Sequence, residues 1–207
     1  MKTLTQTLFA TVFTAVILSL SAISASAAGI IKTNKTTEAA APVTFNKIVV
    51  SGNVKVILVQ GGKEAVNVDE NFDAARTSIK KQGYSLMIHS TEINPVTITV
   101  SVKDLHRIDI SGISSVETRG NFDLKYLQVF MSHSTTANIN AKTESMYTQI
   151  SDEADLKLSG STKQHTFTAN QAAKANLDNF VCYGPERLTD EAIAAISLNR
   201  AIVGKSK

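Results

Sequence analysis

The chain is poor in cysteine, with Cys182 alone among 207 residues. A disulfide framework is thereby excluded, so stability must come from burial and backbone pairing. No cysteine lies near the N-terminal apolar run, which removes the residue on which a bacterial lipoprotein carries its lipid. Clustered positive charge is missing too. The 21 Lys and Arg face 18 Asp and Glu, the net charge is only +3, and no basic stretch is dense enough to track a phosphate backbone, which argues against nucleic acid as a partner. The four histidines, His89, His106, His133 and His165, have no short-spaced partner of the kind a zinc site needs. They are expected at the surface or in turns.

Other chemistries lack their surroundings. Ser132-His133-Ser134 has no Gly-x-Ser-x-Gly elbow and no fixed acid, so it does not make a hydrolase. Gly61-Gly62-Lys63 lacks the further glycine and the hydroxyl of a phosphate loop and reads as a turn. Cys182, between Val181 and Tyr183, has no basic neighbour to lower its pKa. It is expected to be a small buried residue.

What is present begins with Met1-Lys2, an uncharged apolar run from Leu8 to Ile23, and Ala25-Ser26-Ala27-Ala28. Small residues at 25 and 27 after such a run make residues 1–27 a signal peptide, cleaved after Ala27. The run is too short for a membrane span, and none is expected once the leader is removed. Its loss takes one positive charge, that of Lys2. Residues 28–44, rich in Ala, Thr and Lys, form a tether without a sustained period. Residues 45–207 are the folded domain.

From Phe45 the pattern is alternation: Ile48 and Val50, then Val54, Val56 and Leu58, with Gly52-Asn53 between them. That is strand, turn, strand. Val66–Val68, Leu86–Ile88 and Val96–Val102 continue it, punctuated by Gly61-Gly62, Gly83 and Asn94-Pro95. No persuasive helical period appears before Thr189, so the domain is all-β. A weak repeat follows: Ile110-Ser111-Gly112, Met131-Ser132-His133, Ile150-Ser151-Asp152 and Ala169-Asn170-Gln171, its anchors 21, 19 and 19 residues apart. A period near 20 built of strands and turns suits a β-solenoid, whose coils pair at about 4.8 Å and which would here make about eight coils over about 40 Å. A β-sandwich remains open on strand spacing alone. Leu188 to Ile196 breaks the pattern as a short C-terminal helix or irregular cap, with Thr189 as its N-cap and Asp190 and Glu191 at its positive end.

The stretch from Phe45 to Gly61 (FNKIVVSGNVKVILVQG) resembles the opening of the GIN-domain family, adhesin head domains of exported Bacteroidota proteins. Val66–Asn71, Gly83–Ile88, Val96–Val102 and Leu105–Gly112 resemble its following strands and the entry to its repeats, and the likeness extends over residues 45–183. The resemblance implies a right-handed parallel β-helix, export to the periplasm or cell surface, and an adhesin-like, non-enzymatic role with a glycan or protein partner. It brings no catalytic residues. The chain departs from the pattern at His133 and Asp152, where a glycine usually follows the serine, and in the tail beyond Pro185.

No catalytic, cofactor-binding or metal-ligating residue is therefore nominated, and no cofactor is expected. The densest acidic group, Asp152, Glu153 and Asp155, offers oxygens for calcium, but it lacks the further ligands and the glycine of a calcium loop. It is the one seed for an alternative reading, a polysaccharide lyase-like enzyme on a β-helix. A third reading is an envelope-assembly protein whose exposed edge pairs with another chain. Thr135, Thr136, Asn138, Asn140, Asn170, Asn176 and Asn179 are expected to align as polar ladders between coils, on a face open to glycans.

Overall fold

The computed structural model of the chain describes residues 45–69, 72–170 and 172–204. The expected leader and tether lie outside the described residues. Alternating β-branched residues make β1 (Lys47–Gly52) and β2 (Val54–Gln60), turning at Gly52 with φ +84°. There follow β3 (Ala65–Val68), β4 (Thr77–Gln82), β5 (Ser85–Ser90), β6 (Val96–Val102), β7 (Arg107–Ile110) and β8 (Ser115–Arg119). Longer strands come next, β9 (Phe122–Met131), β10 (Thr136–Ile150), β11 (Asp155–Ala169) and β12 (Lys174–Cys182), before the short β13 (Glu186–Leu188) and a helix, α1 (Asp190–Gly204).

All thirteen strands join one curled sheet. Two ladders run through it. The first stacks β4, β5, β1, β7, β9, the second half of β10, the second half of β11, and β13; the other stacks β3, β6, β2, β8, the first halves of β10 and β11, and β12. From β7 onward each layer pairs in parallel with the next at the expected period: Ile110 with Met131, Met131 with Ile150, Ile150 with Ala169. The anchor amides follow suit. Ser132 donates to the Ile110 carbonyl, Ser151 to that of Met131, and Asn170 to that of Ile150.

The first half corrects the expected uniform parallel β-helix. Strands β3 on β6 and β4 on β5 are antiparallel. The layers are also out of chain order, because β1 pairs with both β5 and β7, and β2 with both β6 and β8. The first layer is thus inserted between the second and third. Residues spent on β3, β4, β13 and α1 leave six stacked layers among the described residues, where eight were expected.

Inward residues of both ladders make one core. Leu86, Ile48, Ile108, Val129 and Phe167 of one ladder and Ile98, Val56, Val116, Ala137 and Leu156 of the other are all buried in it. Each large aliphatic or aromatic side chain fully buried here is worth about 1.5–3 kcal/mol. The end of the stack is covered by α1, which buries Ala192 and Ala195 and packs on β12 and β11. Thr189 caps it as expected, its Oγ1 accepting from the Ala192 amide at 3.2 Å. The helix outruns the expected segment because no glycine or proline interrupts it before Gly204.

Candidate binding face

The same alternation that buries Ile108, Ile110, Leu127, Val129, Met131, Met146 and Ile150 turns their neighbours outward. Strand pairing sets those neighbours in a three-by-three grid. Arg107, Gln128 and Tyr147 form one column, Asp109, Phe130 and Gln149 the next, and Ser111, Ser132 and Ser151 the third. Phe130 stands at the centre, and its eight grid neighbours all carry hydrogen-bonding groups.

Contacts within the grid fix its members. The Arg107 guanidinium lies 4.0 Å from the Phe130 ring centroid, and the Tyr147 ring is 5.5 Å from Phe130, tilted by 39°. Arg107 Nε donates to Asp109 Oδ1 at 2.7 Å, while Lys47 Nζ meets Asp109 Oδ2 at 2.8 Å. Tyr147 donates its hydroxyl to Gln149 Oε1 at 3.1 Å. Between the middle and serine columns lies a concavity of about 220 Å³, lined by Arg107, Asp109, Phe130, Gln149 and the three serines. All but the exposed Gln149 are half-buried, and all lie on paired strands or at the residue that follows one, so their positions are set by the backbone.

The sequence-stated candidates sit elsewhere. Asp152 Oδ2 accepts from the His133 amide at 2.8 Å, and Glu153 Oε2 accepts from Ser134 Oγ at 3.1 Å. These carboxylates tie one turn to the next. Asp155 lies in register with Thr136 and Lys174 on the other ladder. Among the described residues no group of three or more His, Cys, Asp or Glu is placed to hold a metal ion. The amide ladders form only in part: Lys157 separates Asn138 from Asn176, and Ser159 separates Asn140 from Asn179. Thr135 is buried, its hydroxyl without a partner among the described residues.

Two expectations about single residues are corrected. His165 is not a surface residue. It is 1% exposed, in the inward row after Leu127 and Met146. Its Nδ1 meets Glu186 Oε1 at 3.0 Å and its Nε2 meets Thr148 Oγ1 at 3.2 Å, with Phe167 stacked on it and Phe180 edge-on. Burial pushes its pKa down, opposed by the hydrogen bond and charge of Glu186. Cys182 is half-buried, not buried, at the end of a row through Leu124, Thr143 and Thr162.

The chain matches, over residues 44–183, the family model described as "Putative auto-transporter adhesin, head GIN domain". It belongs to the head GIN domain family. Among solved structures, this GIN domain is similar to a putative adhesin from Bacteroides fragilis NCTC 9343, with TM-score 0.61 and 14% identity over 70% of this chain and 73% of that one. A putative adhesin from Parabacteroides merdae ATCC 43184 gives TM-score 0.50 and 14% identity over 70% and 73%. A protein from Parabacteroides distasonis ATCC 8503 described as a putative lipid binding protein gives 0.50 and 10% over 70% and 74%. At such identities the likeness is one of fold. No curated protein matches the chain.

The grid was missed because its members are 19–21 residues apart and none is chemically distinctive alone. The signal was available: sliding the outward positions by the repeat's own period aligns Asp109, Phe130 and Gln149.

Proposed function

We propose that the chain is an exported, adhesin-like, non-enzymatic protein that presents the grid face of its sheet to a glycan or protein partner at the cell envelope. Export rests on the leader-like residues 1–27. The layers from β7 onward, parallel at a 19–21 residue period, are read as coils of a β-helix, with the right-handed winding that the family resemblance implies. The observation that carries the functional reading is the grid itself, a preset outward face with one aromatic ring among hydrogen-bonding side chains. The lyase alternative loses support because Asp152 and Glu153 are engaged in turn-to-turn hydrogen bonds.

The chain expressed with its own leader should be recovered from the periplasm or cell surface with Ala28 at its N-terminus. The recovered protein should bind envelope or matrix material saturably, and a heat-unfolded sample should not. Retention in the cytoplasm would overturn the export reading, and non-saturable binding that survives unfolding would overturn the adhesin-like one.

A further inference from the structure

We infer that the grid face is a binding site for a carboxylate-bearing saccharide, with the acid group on Arg107 and the sugar ring over the Phe130–Tyr147 side of the face. The inference rests on the adhesin-like reading above and names the ligand class of that face. Arg107 is the centre of the argument. Its guanidinium is held in place twice, against the Phe130 ring and through Nε to Asp109. Among the described residues no acceptor meets its two terminal nitrogens. A planar fork fixed in this way is preorganised for a carboxylate, which takes two parallel N–H donors.

Charge and surroundings narrow the class. Lys47 and Arg107 share the single carboxylate of Asp109, which leaves the face with one unit of positive charge. Around the fork the groups are neutral: the Gln149 amide, the Tyr147 hydroxyl and the row of serines. Such groups suit ring hydroxyls, while the half-buried aromatic pair offers its surface to the C–H face of a sugar. A peptide ending in a carboxylate would need pockets for its alternate side chains, and the shallow concavity offers one volume of about 220 Å³. Strands here repeat at about 4.8 Å, and three of them carry the grid, so a short oligosaccharide can cross the face with successive residues meeting successive strands.

The test is titration calorimetry of the exported protein with tri-galacturonate, with neutral maltotriose and acetate as comparisons. Tri-galacturonate should saturate a single site and bind at least about tenfold more tightly than either comparison. Arg107→Gln should weaken it by about 10- to 100-fold. Arg107→Lys, which keeps the charge without the fork, and Gln149→Ala should each weaken it less. Lys157→Gln, which removes the same charge from the other ladder, should leave it unchanged. Thermal melts of each variant close to that of the parent keep a folding defect out of the comparison. No saturation by tri-galacturonate, acetate binding as tightly, or equal losses in Arg107→Gln and Lys157→Gln would each overturn the assignment. If the protein still attaches saturably to envelope material in those cases, only the ligand class falls. If it attaches to nothing, the adhesin-like reading falls with it.

Discussion

Glycine positions in the turns show how one residue governs a layer. After the stacked serines, Gly52 and Gly112 have φ near +84° and +83°, and His133 and Asp152 keep the same left-handed conformation at 63° and 59°. The backbone shape therefore persists where the glycine does not. A Cβ on Gly112 would lie 2.8 Å from the Gly52 backbone, closer than carbon tolerates, so Gly112→Ala should cost more than about 2 kcal/mol in chemical denaturation. His133→Gly should do the reverse and add about 0.5–1 kcal/mol, because the left-handed strain of an L-residue is relieved. A loss of stability in His133→Gly would mean that its side-chain contact with Ser132 outweighs the strain. The buried hydroxyls are as directional. Thr143 Oγ1 donates to Thr162 Oγ1, which donates to the Gln164 carbonyl. Thr162→Val removes the acceptor of the Thr143 hydroxyl and a donor to the Gln164 carbonyl, and should cost about 1–3 kcal/mol. Thr143→Val should cost less, and the double variant less than the sum.

At the scale of elements, the C-terminal cap hangs on a buried histidine. Among the described residues β13 pairs with β11 alone, through His165, Thr166 and Phe167, and Glu186 bonds the imidazole. Glu186 is the titratable group in contact with His165. Because burial holds the folded-state pKa below the unfolded value of about 6.5, the unfolded chain takes up the proton first as pH falls. Stability should therefore drop below about pH 6.5 and level off once pH passes the folded-state pKa. Urea midpoints at about pH 7.5 and about pH 5.5 measure it, and His165→Gln should flatten the difference. An unchanged difference in that variant would place the sensitive group elsewhere.

Much of this was legible from element-level patterns. Alternation located β1, β2, β3, β5 and β6, and Thr189 located the helix start, since both signals are local. The repeat anchors gave the register of β7 to β11, because a regular parallel stack makes sequence period equal structural offset. The insertion of β1–β2 between later layers was not legible. Nothing local distinguishes a strand that pairs 38 residues away from one that pairs 60 away, and Lys47 does both, with Ser85 and Arg107. The burial of His165 escaped for a similar reason: its partner Glu186 and its packing ring Phe180 come later in the chain, on β13 and β12.

For the whole molecule, the sheet has two ends, and among the described residues a helix seals one of them. Removing residues 186–207 would bare β11 and β12 along their unpaired edge, and exposed edges recruit other chains. The truncated protein should elute as higher oligomers in size-exclusion chromatography at concentrations where the full chain is monodisperse. A monodisperse truncation would show that the edge protects itself.

The placement of the first layer also bears on time. Strands β1 and β2 are flanked on both sides, and their partners extend as far along the chain as Arg119. On the export reading proposed above, the chain emerges N-terminus first, and β1 and β2 wait for partners that are complete only when Arg119 follows. Thereafter each further 19–21 residues finds a finished edge and zips onto it. On that reading the inserted layer acts as a delay and the later layers as a ratchet, an order of assembly that would keep the leading segment threadable and let every later layer resist backsliding.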